Sequence, residues 1–165
     1  MRRILSILLE NEAGALSRIV GLFSQRGYNI DSLTVAKTDD ESLSRITLTT
    51  HGDQRVLEQI TKQVNKLVDV LKVRELTESA HVEREIVLVK IFAENHEQRE
   101  EIKRSADIFR GQIVDVSSKV YTVQLLGTSE KIDAFIQVMR ENASILETVR
   151  SGVVGIGRGE KALRP

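Results

Sequence analysis

The chain has 165 residues, 41% hydrophobic and 29% charged, with 24 Lys and Arg against 24 Asp and Glu. That length allows one ordinary domain or two small ones with a sizeable core. The charges also balance locally, 11 against 11 in residues 1–80 and 13 against 13 in residues 81–165, so neither half carries the field that sequence-independent nucleic-acid binding or an anionic membrane surface needs.

Other classes drop out on residue types. Cys is absent, which excludes disulfides, thiolate metal sites and a thiol nucleophile. No apolar run approaches the ~20 residues that span a bilayer. Met1-Arg2-Arg3 and the apolar residues 4–9 lead into Glu10 without a small-residue cleavage site, so the segment is not read as a signal peptide. The expectation is a soluble cytoplasmic protein. Aromatics are 4% and Trp is absent, which disfavours base-stacking platforms.

In chain order, residues 4–9 form an apolar run expected to be a buried strand. Leu16, Ile19, Val20 and Phe23 share one helical face, and Gly27 suits the stop. Residues 29–36 are predicted as the second strand, 37–42 as a polar turn and 43–50 as an alternating third strand. Asp53 suits a helix N-cap, ahead of the stripe Val56, Leu57, Ile60, Val64 and Leu67. Residues 68–76 complete a βαββαβ order. A short polar linker at 77–81 follows, and the order begins again. Residues 86–92 are a strand, 97–110 a charged helix stopped by Gly111, and 113–116 and 120–126 two strands. Gly127-Thr128 repeats the signal of Gly52-Asp53, ahead of Ile132, Phe135, Ile136 and Met139. Residues 144–149 close the second copy. The duplication predicts an α+β chain of two ferredoxin-like βαββαβ sandwiches in tandem. The first spans residues 1–77 and the second 82–165, with a Gly-rich basic C-terminal tail.

The turn between the first strand and helix reads Asn11-Glu12-Ala13-Gly14-Ala15-Leu16. A helix start offers unpaired N–H groups and a positive dipole end that suit a carboxylate. Gly14 allows a ligand to approach the backbone closely, and Asn11 adds an acceptor and donors. The same residues also fit an ordinary strand-to-helix turn. The equivalent loop of the second copy, Ala93-Glu94-Asn95-His96-Glu97-Gln98, has no Gly and two carboxylates, so an anion site belongs to the first copy alone.

Other candidate motifs fail. Gly155-Ile156-Gly157-Arg158-Gly159 lacks the third Gly of a dinucleotide fingerprint, which falls at Glu160. The segment is expected to be a flexible docking tail. His51, His81 and His96 are scattered without metal-ligand spacing. The acidic pairs Asp39-Asp40 and Glu100-Glu101 are read as solvated, and no Ser occupies a G-x-S-x-G elbow. No catalytic set emerges, which disfavours a small hydrolase on this fold. The third strand carries no aromatic residue, which an RNA-recognition module on the same topology would need.

A strand, then Asn11-x-x-Gly14-x-Leu16 into a helix, then Gly27-x-Asn29-Ile30, resembles an ACT domain. The pattern's frequent Pro before the Gly is Ala13 here. The longer stretches Arg2-Arg3-Ile4-Leu5-Ser6-Ile7-Leu8-Leu9-Glu10-Asn11-Glu12 and Leu22-Phe23-Ser24-Gln25-Arg26-Gly27-Tyr28-Asn29-Ile30 closely resemble the bacterial acetohydroxyacid synthase (acetolactate synthase) regulatory-subunit family. Ser32-Leu33-Thr34-Val35-Ala36, His81-Val82-Glu83-Arg84-Glu85 and Arg150-Ser151-Gly152-Val153-Val154-Gly155 extend the likeness through both halves. After Ala36, where that family usually has Pro, stands Lys37.

The resemblance implies a non-catalytic chain. Its partner would be a catalytic subunit that uses thiamine diphosphate, magnesium and FAD to condense pyruvate with pyruvate or 2-oxobutyrate. The small subunit would raise that activity and confer feedback inhibition by valine in branched-chain amino acid biosynthesis. It implies a homodimer through the ACT domains, with effector between the first loop of one chain, Asn11, Gly14, Ala15 and Leu16, and Asn29 and Ile30 of the other. The second domain would contribute to contact with the catalytic subunit. An alternative is a free-standing ACT-type amino-acid sensor with another partner. A zwitterion needs donors for its carboxylate and acceptors for its ammonium, which the start of the helix and the Asn11 and Asn29 amides can supply. Two extra buried methyls favour valine over alanine by ~1.6 kcal/mol, somewhat over tenfold.

Overall fold

Alternation of apolar residues sets which face of each strand is covered. In the computed structural model, which describes residues 1–165, the first βαββαβ unit is β1 (Arg2–Glu10), α1 (Ala15–Gln25), β2 (Ser32–Lys37), β3 (Leu43–His51), α2 (Gln54–Asn65) and β4 (Val70–Glu75). Its sheet has the order β2-β3-β1-β4, with antiparallel pairing throughout. Leu5, Ile7 and Leu9 of β1 join Ile46 and Leu48 of β3 under Ile19, Phe23, Leu57, Ile60 and Val64 of the two helices. Each such side chain contributes about 1.5–3 kcal/mol by leaving water.

The second copy repeats the plan with β5 (His81–Phe92), α3 (His96–Ile108), β6 (Gln112–Val116), β7 (Val120–Gly127), α4 (Ser129–Asn142) and β8 (Ser144–Arg150). The strand order is β6-β7-β5-β8. Val87, Val89, Ile91, Val123 and Leu125 pack beneath Ile102, Ala106, Phe135, Ile136 and Met139. Phe109 meets Phe135 edge to face at 5.4 Å between centroids. At the end of this core Arg150 clamps the buried Glu85 with two bonds, Nε to Oε1 at 2.7 Å and Nη2 to Oε2 at 2.9 Å. Burial alone would push the Glu85 carboxyl up, but its bonds to Arg150 and Ser129 hold it below the usual carboxylate range. The fold is therefore the expected pair of α+β ferredoxin-like sandwiches.

Two strand limits differ from the sequence reading. β2 begins at Ser32, which leaves Asn29 and Ile30 in the loop before it. The Asn29 carbonyl accepts the Thr50 hydroxyl at 2.6 Å, and the ladder opens only after Asp31 N–H reaches Thr49 O. β5 starts at His81, five residues ahead of the apolar run.

The C-terminal segment departs furthest. Two compact units are Met1–Val82 with Val153–Pro165, and Glu83–Gly152. Residues 153–165, which the sequence reading gave to the second domain as a flexible tail, belong with the first unit. The cause is a period of two. Val153 points inward and is buried with Ile4 and Leu76, whereas Val154 and Ile156 point outward and are exposed. Gly155 takes the next inward position, where a Cβ would stand 2.8 Å from Leu76 Cδ1. The strand β9 (Val154–Gly157) pairs with β5. Thr34 Oγ1 donates to Val153 O, Arg45 to Gly155 O and Arg74 to Ala162 O. These bonds strap the segment over the face of the first sheet opposite its helices.

Candidate functional site

Three helices end their N-termini with a side chain. Asp53 accepts from Val56 N–H, Asn95 from Gln98 N–H and Thr128 from Lys131 N–H. α1 does not. Its N-cap is Gly14, at φ 87° and ψ −13°, with no side-chain cap bond. Only Gly adopts that left-handed conformation freely. The first-turn N–H groups of α1, at Leu16 and Ser17, have no carbonyl one turn back inside the helix. The turn thus keeps its donors open.

Arg18 walls this opening. A Cβ on Gly14 would lie 2.9 Å from its Nη1. The guanidinium is held by Asp69, with Nε to Oδ2 at 2.5 Å and Nη2 to Oδ1 at 3.0 Å. The Arg18 bond keeps the Asp69 carboxyl below its ordinary range. Asp69 lies just before β4, and its carbonyl accepts Glu10 N–H at 2.9 Å. Glu10, Glu12 and Asp69 bring three carboxylates within 4.8 Å, and Arg18 supplies the counter-charge.

The expected site residues separate into two groups. At the Gly14 end, Asn11 is exposed, but its amide is committed to the β2–β3 hairpin. Nδ2 donates to Glu41 O at 3.0 Å, and Oδ1 accepts from Ser44 Oγ at 3.0 Å. Asn11 therefore fixes the loop to the hairpin, with one Oδ1 lone pair left over. Ala15 is buried in the core, and Leu16 faces outward at 37% exposure. At the other end of the sheet, Asn29 donates Nδ2 to Asp31 at 2.8 Å, which leaves its Oδ1 available. Ile30 packs against the core. Asp31 in turn contacts His51 Nδ1.

Within one chain these groups do not meet. Asn11 bonds to Ser44 and Asn29 to Thr50. Ser44 and Thr50 lie six positions apart on β3, roughly 20 Å. β2 is the edge strand. It runs from Ser32 beside Thr49 to Lys37 beside Ser44, so its two ends mark the two groups.

Sequence reasoning missed Arg18 and Asp69. Arg18 had a usable signal, since it lies one helical turn after Gly14 and so on the same face. Asp69 had none, because only tertiary folding brings the turn before β4 to α1.

Comparison with known proteins agrees across the chain. Residues 5–72 match the family model described as AHAS small subunit-like ACT domain, and residues 84–159 match that for the small subunit of acetolactate synthase. The acetolactate synthase isozyme 3 small subunit of Salmonella typhimurium is 66% identical over 164 residues, covering 99% of this chain and 100% of that protein. The Escherichia coli protein of the same name is 65% identical over 164 residues, with the same coverage. The crystal structure of the acetolactate synthase small subunit from Thermotoga maritima superposes with a TM-score of 0.86 at 35% identity, over 98% of this chain and 99% of that one. The chain belongs to the acetolactate synthase small-subunit family.

Proposed function

We propose that this chain regulates acetohydroxyacid synthase, raising the activity of a separate catalytic subunit and making it sensitive to valine. Thiamine diphosphate, magnesium and FAD belong to that catalytic subunit, and the chain is a non-catalytic cytoplasmic partner. The observation that carries the reading is the uncapped α1 start at Gly14, with Asn29 roughly 20 Å away at the opposite end of an unpaired edge strand.

Two copies reunite the halves. Antiparallel pairing of β2 with a second β2 about a two-fold axis sets the start of one strand beside the end of the other. Asn29 and Ile30 of one copy then approach the Asn11–Leu16 loop of its partner. The valine carboxylate takes the open N–H groups beside Gly14, and Asn29 Oδ1 accepts from the ammonium. Arg18 stands at the same opening, with Nη1 facing Gly14 while Nε and Nη2 hold Asp69. Binding across a dimer couples occupancy to dimer geometry, and a difference in affinity between two geometries is what can switch a bound enzyme.

The test adds the full chain to the purified catalytic subunit and measures acetolactate formation over a valine series. The expected result is activation without valine and progressive inhibition with it. Sedimentation of the chain alone should show the dimer fraction rising with valine. Absence of activation, or a dimer fraction indifferent to bound valine, overturns the reading.

A further inference from the structure

The strapped face of the first sheet carries cations without counter-ions. Arg45, Lys72 and Arg74 all point to this face, since Arg45 and Lys72 pair with Leu8 of β1 and Arg74 pairs with Ser6. None of the three meets a carboxylate. Arg45 donates Nε to Ser6 Oγ at 2.8 Å and Nη2 to Gly155 O at 3.0 Å, both neutral acceptors. Arg74 reaches only Ala162 O, at 3.1 Å. Burial, and then the nearby Arg74, lower the Arg45 pKa, so neighbouring positive charges stand together. Glu10, the carboxylate on this side of β1, lies at its far end with Glu12 and Asp69.

The strap adds cations where a balanced chain would be expected to add acids. Arg158, Lys161 and Arg164 follow β9, against Glu160 alone. Its outward side chains, Val154 at 54% and Ile156 at 55% exposure, form an apolar ridge beside them. A half-buried guanidinium next to a second one is unfavourable until an anion approaches. An apolar ridge with a cationic rim is the composition of a protein-docking surface.

We propose that the outer face of this strap, Val154, Ile156 and Lys161 together with Lys72 and Arg74 of the sheet, docks an acidic segment of the catalytic subunit whose apolar side chains cover the ridge. The proposal rests on the regulatory reading above. It places the catalytic subunit on the sheet face opposite the helices, so the Gly14 turn stays open to effector. Because Arg45 and Ser44, the Asn11 contact, are neighbours on β3, a shift of this strand on valine binding reaches the docking face directly.

The experiment uses the full chain and the purified catalytic subunit, with affinity measured across a NaCl series. The variants are the double substitution Lys72→Glu with Lys161→Glu, both at exposed positions, and Ile156→Asp. Lys72→Arg with Lys161→Arg is the charge-preserving control. The expected result is that wild-type binding weakens with salt, the Glu pair lowers affinity at least roughly tenfold and flattens the salt dependence, and the Arg pair binds as wild type. Ile156→Asp should lower affinity at every salt concentration. Calorimetric titration of valine into the variants alone should match wild type, which separates lost docking from lost folding. Wild-type affinity and salt dependence in the Glu pair would overturn the docking face and leave the regulatory reading intact. If the wild-type chain fails to bind the catalytic subunit at all, both fall.

Discussion

Gly14→Asp separates the roles of backbone, charge and ligand at the candidate site. Gly14 sits at φ 87°, where an L-residue costs about 1–2 kcal/mol. Asp tolerates this region better than most residues, so its cost falls at the low end. The new Cβ meets Arg18 Nη1 at 2.9 Å, the mobile tip of a side chain, which can yield by loosening its hold on Asp69. A loss of about 1 kcal/mol in a unit of this size lowers Tm by roughly 4–8 °C, so the variant stays folded at ordinary temperatures. The effect on valine is larger. Two like charges 4 Å apart interact with about 4 kcal/mol at an effective dielectric of 20. A third of that is already tenfold in affinity. The Asp carboxylate also competes for the first-turn N–H groups. Acetolactate formation by the reconstituted enzyme should keep its activation while the valine concentration for half-inhibition rises at least tenfold. Gly14→Ala carries the backbone strain without the charge, so it should lower Tm similarly and shift valine less. Full valine sensitivity in Gly14→Asp would refute the site. Equal shifts in the Ala and Asp variants would refute the charge argument.

Asn29→Ala should raise the valine requirement while leaving activation unchanged, because it removes the acceptor from the opposite end of the sheet; titration calorimetry checks it. Val153→Ala removes two methyls from the contact with Ile4 and Leu76, a loss of about 1.6 kcal/mol that denaturant unfolding of the first unit should report. Glu85→Gln breaks the ionic clamp to Arg150 and should cost about 2 kcal/mol at neutral pH. Because the folded Glu85 pKa lies below its unfolded value, the wild-type clamp is fully present above the ordinary carboxylate range and is lost as pH falls through the folded value. The acid limb of the stability curve should therefore be shallower in Glu85→Gln, as followed by circular dichroism.

Local chemistry made most of the fold legible. Asp53 and Thr128 cap as their types suggest. The stripes at Ile19 and Phe23, and at Phe135 and Met139, reach the cores because both lie at helical spacing. The tail was misread because its alternation is inverted, with Val154 and Ile156 facing outward and Gly155 on the covered side. Gly155 is small because Leu76 is close, and nothing in residues 153–165 records what they lie against. Arg18 and Asp69 were missed for the same reason, since their pairing crosses 51 positions. Asn11 was recognised as a member of the loop but its role was not, because its partners, Glu41 and Ser44, come from the hairpin.

The two copies show why one fold yields one open turn. In the second copy, Asn95 Oδ1 accepts from Gln98 N–H at 2.9 Å while Gln98 Oε1 accepts from Glu94 N–H at 2.8 Å. That reciprocal pair closes the start of α3 and contributes about 1 kcal/mol, the usual worth of a cap. A ligand carboxylate arriving there would have to displace it. In the first copy the cap is absent, and the chain instead places a left-handed Gly at the turn, Asn11 as an anchor to the hairpin and Arg18 as a cation beside the opening. These choices lower local stability and leave donors for an anion. The sacrifice is tolerable because Ile7, Leu9, Ile19 and Phe23 bury completely beneath the same turn, so the loop gives up a cap worth about 1 kcal/mol on a core where each side chain contributes more.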